Sequence, residues 1–203
     1  MARVEVFADV VCPFTHVGIR RLVDARAERA ARMPLRVRAW PLEWVNGRPL
    51  DPRLVAREVD ALRSSVAPDL FASFHEATFP RTSIPAFGLA AAAYDVDEPT
   101  GEQVSIALRA ALFEEGLDVS DPEVLLSIGD RFGVTLPDAR VAADAVRRDW
   151  ERGKARGVQG SPHFFVGDHG WFCPTLRIRH QDEDYEVELD RDALRRFHAA
   201  ALA

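Results

Sequence analysis

Apolar side chains recur at every second position at the start of the chain, with Val4, Val6 and Ala8 on one face of a strand that ends near Asp9 to Val11. From Pro13 the spacing lengthens. Ile19, Leu22, Val23, Ala27 and Ala30 form a helical stripe, and proline at the first helical position costs no hydrogen bond there. Cys12 therefore stands where a strand hands over to a helix. After Met33-Pro34, Leu35, Val37 and Ala39 alternate again. A β–α–β unit this short predicts two parallel strands. Asn46-Gly47 and Pro49 mark a loop.

The long middle of the chain reads as helical. Asp51-Pro52 opens a helix carrying Leu54, Val55, Val59 and Leu62, and Pro68 opens another with Leu70, Phe71 and Phe74. Pro85 precedes an alanine-rich helix. Val104, Leu108, Ala111 and Leu112 stripe the next, which stops near Gly116. Ser120 and Glu123 form a capping box ahead of a helix that ends around Gly133. Pro137 to Arg156 is the last long helix of the middle. Strand spacing then returns at His163 to Val166, a turn at Gly167 to Gly170 leads into Trp171-Phe172, and Tyr185, Val187 and Leu189 alternate. The acidic run Asp182 to Glu186 reads as a solvated loop, and Asp190 caps a closing helix. β-rich ends around a helical middle predict an α/β fold. Residues 1–50 and 157–203 make one sheet domain, and 51–156 make an all-helical insertion.

Composition narrows the function classes. The chain has 203 residues and a net charge of −6, which argues against a nucleic-acid partner. The longest nearly apolar stretch, Ile84 to Tyr94, is too short to span a bilayer, and the first residues read as a strand rather than a secretory signal. These features place the protein in the cytoplasm, away from membranes. His163, His169, His180 and His198 are scattered without metal-ligand spacing, so no metal site is expected. There is no G-x-S-x-G elbow of a hydrolase and no glycine-rich phosphate loop.

Two cysteines remain, Cys12 and Cys173. The first N–H groups of a helix lack intrahelical partners and carry partial positive charge. Position alone thus predicts that Cys12 is a stabilised thiolate, the form that attacks disulfides. The contrary reading is an inert, buried cysteine, and for Cys173 that reading carries more weight.

The segment ADVVCPFTHVGIRRL (Ala8 to Leu22) resembles the active-site segment of DsbA-like proteins of the thioredoxin fold, in particular the FrnE subgroup, with its D-x-x-C-P-x-C-x-x-G pattern. GVQGSPHFFV (Gly157 to Val166) resembles that family's cis-proline loop, and ALFEEGLDVSDPEVLL (Ala111 to Leu126) its helical insertion. The resemblance implies a thioredoxin-like fold with Pro162 cis and facing Cys12. It makes Cys12, Thr15 and Pro162 the catalytic positions. Pro13, Phe14, His16, Ser161 and His163 become the substrate contacts, the Ser161 main chain pairing with a bound peptide or small thiol. Thr15 stands where the family has its second cysteine. It either bonds the thiolate or faces solvent. His16 is either a cation beside the thiolate or a partly exposed helix residue, and His163 either meets substrate or is an exposed strand residue.

Without the second cysteine, three chemistries stay open by resemblance. One is a monothiol thiol–disulfide cycle, with glutathione or mycothiol as external co-substrate and no tightly bound cofactor. Another uses Cys173 as the resolving thiol. A third is a thiol-dependent transfer or isomerisation like that of kappa-class glutathione transferases and hydroxychromene-carboxylate isomerases. A binding module without turnover is the non-enzyme alternative. The partners implied are a small thiol and a small-molecule or protein disulfide, and a homodimer is compatible with all of these.

Overall fold

The computed structural model describes residues 3–181 and 184–202. Strands β1 (Val4–Ala8) and β2 (Leu35–Ala39) flank helix α1 (Pro13–Glu28) and pair in parallel, Val6 opposite Val37. A short helix α2 (Leu42–Asn46) follows, then α3 (Pro52–Ser65), α4 (Ile84–Val96), α5 (Glu98–Phe113), α6 (Pro122–Phe132) and α7 (Ala139–Ala155). The chain returns to the sheet with β3 (His163–Val166) and β4 (His169–Phe172), makes a hairpin of β5 (Leu176–Gln181) and β6 (Asp184–Leu189), and closes with α8 (Arg191–Ala201). The main sheet runs β2-β1-β3-β4, with β3 antiparallel to β1.

β1 is buried on both faces. Val4, Val6 and Ala8 meet Ile19 and Leu22 of α1, Phe164 of β3 and Phe197 of α8. On the opposite face Phe7 packs edge-on to Trp40 and Phe165, and Trp150 of α7 stacks on Trp40 at 4.2 Å. Glu5 shares that face, where burial opposes its charge. Contacts with Arg38, Arg152 and Arg156 outweigh the burial and hold its carboxyl below the usual range. The larger core lies among α3 to α7 and reaches Val10, Val11 and Val17 on one side and Leu176 and Val187 on the other. The Cys12 turn thus lies where sheet, insertion and hairpin meet.

Several elements differ from their expected form. Pro68 does not open a helix. Phe71 takes a left-handed φ of 67°, and its N–H and that of Ala72 donate to the Glu114 carboxylate, which removes two donors a helix would use. Only a 3₁₀ turn, Glu76–Thr78, forms there. Helix α6 is capped by Asp121, which accepts from the Glu123 N–H at 2.8 Å. Ser120 instead bonds Asp118, because proline at the first helical position makes the residue before it the extended cap. The strand β5 was not anticipated. Asp184 to Glu186 lie in β6 rather than in a loop, and Asp182 and Glu183 fall outside the described residues. This hairpin is a separate two-stranded sheet against α3.

Helices α4 and α7 touch at Gly88, where an added Cβ would sit 2.4 Å from Ala142 Cβ and 3.0 Å from its Cα. Gly88→Ala is expected to cost about 1–3 kcal/mol by overpacking. A thermal melt checks this, and an unchanged or raised midpoint would show that the two helices are not held at this distance.

Candidate active site

Cys12 is the N-cap residue of α1, with extended backbone (φ −86°, ψ 115°) imposed by Pro13 after it. Its side chain is 2% exposed, and its Sγ donates to the Ser161 carbonyl at 3.4 Å. The Ser161–Pro162 peptide bond is cis. The Ser161 hydroxyl accepts the Asp9 N–H at 2.8 Å and pairs with Thr15 Oγ1, also at 2.8 Å. One serine therefore ties the end of β1 and the first turn of α1 to the loop before β3.

Burial sets the chemistry of the sulfur. It pushes the Cys12 thiol up to about 11, although hydrogen bonds from Thr15 and Ser161 act the other way, and the nearby Glu58 charge adds to the rise. The expectation of a thiolate formed by position alone is therefore corrected. The helix N-terminus helps, but desolvation of a sulfur with almost no exposure outweighs it. Cys12 is a neutral thiol at rest.

Other residues singled out in the sequence divide between the two sides of this turn. A cleft of about 540 Å³ opens on Cys12, Pro13, Phe14, Ser161 and Cys173, with Leu54 and Glu58 of α3 and Tyr185 of the hairpin across from them. Thr15 is fully buried and not solvent-facing, and it bonds both the Cys12 sulfur and the Ser161 hydroxyl. Pro162 is buried beside the turn, and its carbonyl accepts the Cys173 N–H at 3.0 Å.

His16 turns away from the cleft. It is 2% exposed, lies between the Phe71 and Phe113 rings, and bonds Glu114 Oε1 through Nε2 at 2.6 Å. Burial keeps its ring below the usual imidazole range against the pull of Glu114. It is neither a cation beside the sulfur nor a partly exposed helix residue. Glu114 itself would be raised by burial, but the bonds from His16 and from the Ala72 and Phe71 N–H groups bring it down to about 2. His163 is buried as well, not exposed. It stacks on Phe165 at 4.6 Å, accepts the Gln159 N–H on Nδ1, and does not line the cleft.

Cys173 is a free thiol at a left-handed φ of 42°, and burial pushes it up to about 12, the Cys12 charge adding to the rise. Among the described residues no group of three or more His, Cys, Asp or Glu is arranged to hold a metal ion, and no helix is long and apolar enough to cross a membrane.

Three charged residues complete the site, and of these only Asp9 belongs to the D-x-x-C-P pattern. Asp9 is fully buried. Burial raises its carboxyl to about 6, while the N–H groups of Leu42 and Val11 bond it at 2.5 and 3.1 Å. Arg109, equally buried, donates to the Asp9 carbonyl at 3.2 Å, and burial brings its guanidinium down to about 10. Glu58 follows Leu54 by four residues and precedes Leu62 by four, which puts it at the edge of the apolar stripe of α3, where a carboxylate reads as solvated. The hairpin packs against α3 and half-buries Glu58, with Tyr185 bonding its carboxylate.

A parallel β–α–β unit joined to an antiparallel hairpin, with a cysteine capping α1 beside a cis-proline, defines the thioredoxin class of folds. Within it, residues 3–179 match the profile of the DSBA-like thioredoxin domain, and the chain belongs to that family. No curated protein matches it in sequence. Among solved structures, the cytosolic disulfide reductase DsbM from Pseudomonas aeruginosa is 16% identical, with a TM-score of 0.64 over 97% of each chain. A protein described as a probable DsbA oxidoreductase from Streptomyces coelicolor is 20% identical, with a TM-score of 0.64 over 98% of this chain and 90% of that one. A 2-hydroxychromene-2-carboxylate isomerase is 16% identical, with a TM-score of 0.61 over 84% and 88%. At these identities the likeness is one of fold.

Alkylation of Cys12 by iodoacetamide is expected to keep accelerating with pH beyond about 8.5, where a free thiol is half ionised. A rate that levels off near neutral pH would contradict a buried, neutral sulfur.

Proposed function

We propose that the protein is a cytoplasmic thiol–disulfide oxidoreductase in which Cys12 is the nucleophile and an external thiol resolves its mixed disulfide. The observation that carries this reading is Cys12 at the mouth of the α1 helix, against Ser161-Pro162 and open to the cleft, with Thr15 in place of a second motif thiol. The thioredoxin scaffold puts a cysteine there, and the loss of its partner leaves the second half of the cycle to a thiol from solution. The cleft lies within the volume range of small-molecule sites, so a tripeptide thiol fits its size. The structural likeness to DsbM, which is matched also in a structure with GSH, supports a small thiol as co-substrate. Family membership supports redox chemistry in general.

In the cycle, Cys12 Sγ attacks one sulfur of a disulfide RSSR′. The S–S bond breaks and R′SH leaves once protonated. The external thiol R″SH then attacks the sulfur of R, giving RSSR″ and restoring the Cys12 thiol. Electrons balance, because R′ is reduced in the first step and R″ oxidised in the second.

Cys173 borders the same cleft, so its part can be tested directly. Incubation with oxidised glutathione, followed by intact-mass analysis, is expected to give one glutathionyl adduct that Cys12→Ser abolishes. Cys173→Ser is expected to retain both the adduct and steady-state turnover with glutathione. An adduct that persists in Cys12→Ser would overturn the assignment, and a loss of turnover in Cys173→Ser of about tenfold or more, roughly 1.4 kcal/mol of barrier, would move the resolving step to Cys173.

A further inference from the structure

A neutral sulfur cannot complete an attack on a disulfide while it keeps its proton, so some group must take that proton as the new S–S bond forms. The described residues of the cleft that titrate or carry charge are Cys12, Cys173, Asp51, Glu58, Arg177 and Tyr185. Burial pushes the Cys173 thiol up as it does that of Cys12, so it keeps its own proton, and Asp51 is engaged as the N-cap of α3, accepting the Arg53 N–H at 2.9 Å. Arg177 pairs with Asp190 at 3.0 Å and holds no lone pair for a proton. Glu58 is different. It projects from α3 into the same cleft as Cys12, and the Tyr185 hydroxyl of β6 donates to its carboxylate. Its charge adds to the rise of the Cys12 thiol, by less than burial does.

We propose that Glu58 is the general base and acid of the Cys12 reaction, a role that rests on Cys12 being the nucleophile. The physical reason is charge conservation. A thiolate formed beside an ionised Glu58 would place two negative charges in one apolar cleft. Moving the thiol proton onto Glu58 relocates a single charge and creates none.

The Cys12 S–H bond breaks, its proton goes to the Glu58 carboxylate, and the sulfur's electron pair forms the bond to R. The R–R′ disulfide breaks, and its electron pair leaves on R′, which takes the proton from Glu58 and departs as R′SH. When the external thiol R″SH attacks, Glu58 accepts its proton and returns it to the Cys12 sulfur. Burial raises the Glu58 carboxyl to about 7, so it is part ionised at neutral pH and strong enough as a base to serve. In the resting protein the transfer runs uphill, from a thiol at about 11, so it proceeds only in step with S–S bond formation.

The test is the single-turnover rate of Cys12 adduct formation with oxidised glutathione, measured by acid quench and mass analysis from about pH 5 to about pH 9, the range a buried carboxyl spans. In the wild type the rate is expected to pass an inflection near pH 7 as Glu58 ionises. Glu58→Gln should lose that inflection and fall about 10²-fold above it, leaving only the steady rise of free thiolate. Tyr185→Phe keeps the carboxyl but removes a donor to its charged form, so it should move the inflection upward without erasing it. That variant tests the role even if Glu58→Gln does not fold. A wild-type profile in Glu58→Gln, or an inflection unmoved in Tyr185→Phe, would overturn the assignment to Glu58 while leaving Cys12 as nucleophile. A wild type that forms no Cys12 adduct at any pH would overturn both.

Discussion

Ser161 is the residue on which this site depends. Its carbonyl receives the Cys12 thiol, and its hydroxyl receives the Asp9 N–H while pairing with Thr15. The end of β1 and the adjoining first turn of α1 meet the loop before β3, 146 to 152 residues further along the chain, on the side-chain hydroxyl and carbonyl oxygens of one residue. Beneath them Asp9 and Arg109 extend the same buried polar network toward α2 and α5. Each of these hydrogen bonds, if broken inside the fold, would leave an enclosed group unpaired at a cost of about 1–3 kcal/mol, so the network favours the arrangement of the turn that makes them.

That arrangement has a price in reactivity. A network this enclosed excludes water, and exclusion of water raises the thiol instead of lowering it. The helix N-terminus and the Thr15 hydroxyl favour the thiolate, but they act on a sulfur with almost no exposure. The protein thus holds a protected thiol beside a cleft whose far wall comes from α3 and the β5–β6 hairpin. In the proposed chemistry the insertion and the hairpin supply what the thioredoxin scaffold lacks here, namely the substrate enclosure and the proton acceptor.

Much of this architecture was legible in the sequence. The period of two in Val4–Val6–Ala8 and Leu35–Val37–Ala39 located a parallel pair. Pro13 placed the start of α1 after Cys12, and Asp190 placed the start of α8. Local rules worked because each of these signals acts within a few residues. They failed where a distant group intervened. Glu114, more than forty residues on, captures the Phe71 and Ala72 N–H groups and prevents a helix after Pro68. Glu114 also draws His16 away from the sulfur, and Phe165 stacks over His163 and buries it. Glu58 reads as a surface residue until the hairpin closes on α3. The residue types at the thiol were readable, but the dielectric around them was not, because burial is a property of the whole fold.

The central claim is that Cys12 reacts from within the cleft bounded by Ser161, Glu58 and Tyr185. A crystal structure of the protein after treatment with oxidised glutathione tests it most directly. The expected result is density continuous from Cys12 Sγ into that cleft, with the glutathionyl chain between Ser161 and α3. Glutathione bound to Cys173 instead, or an unmodified Cys12 in a fully treated crystal, would contradict it.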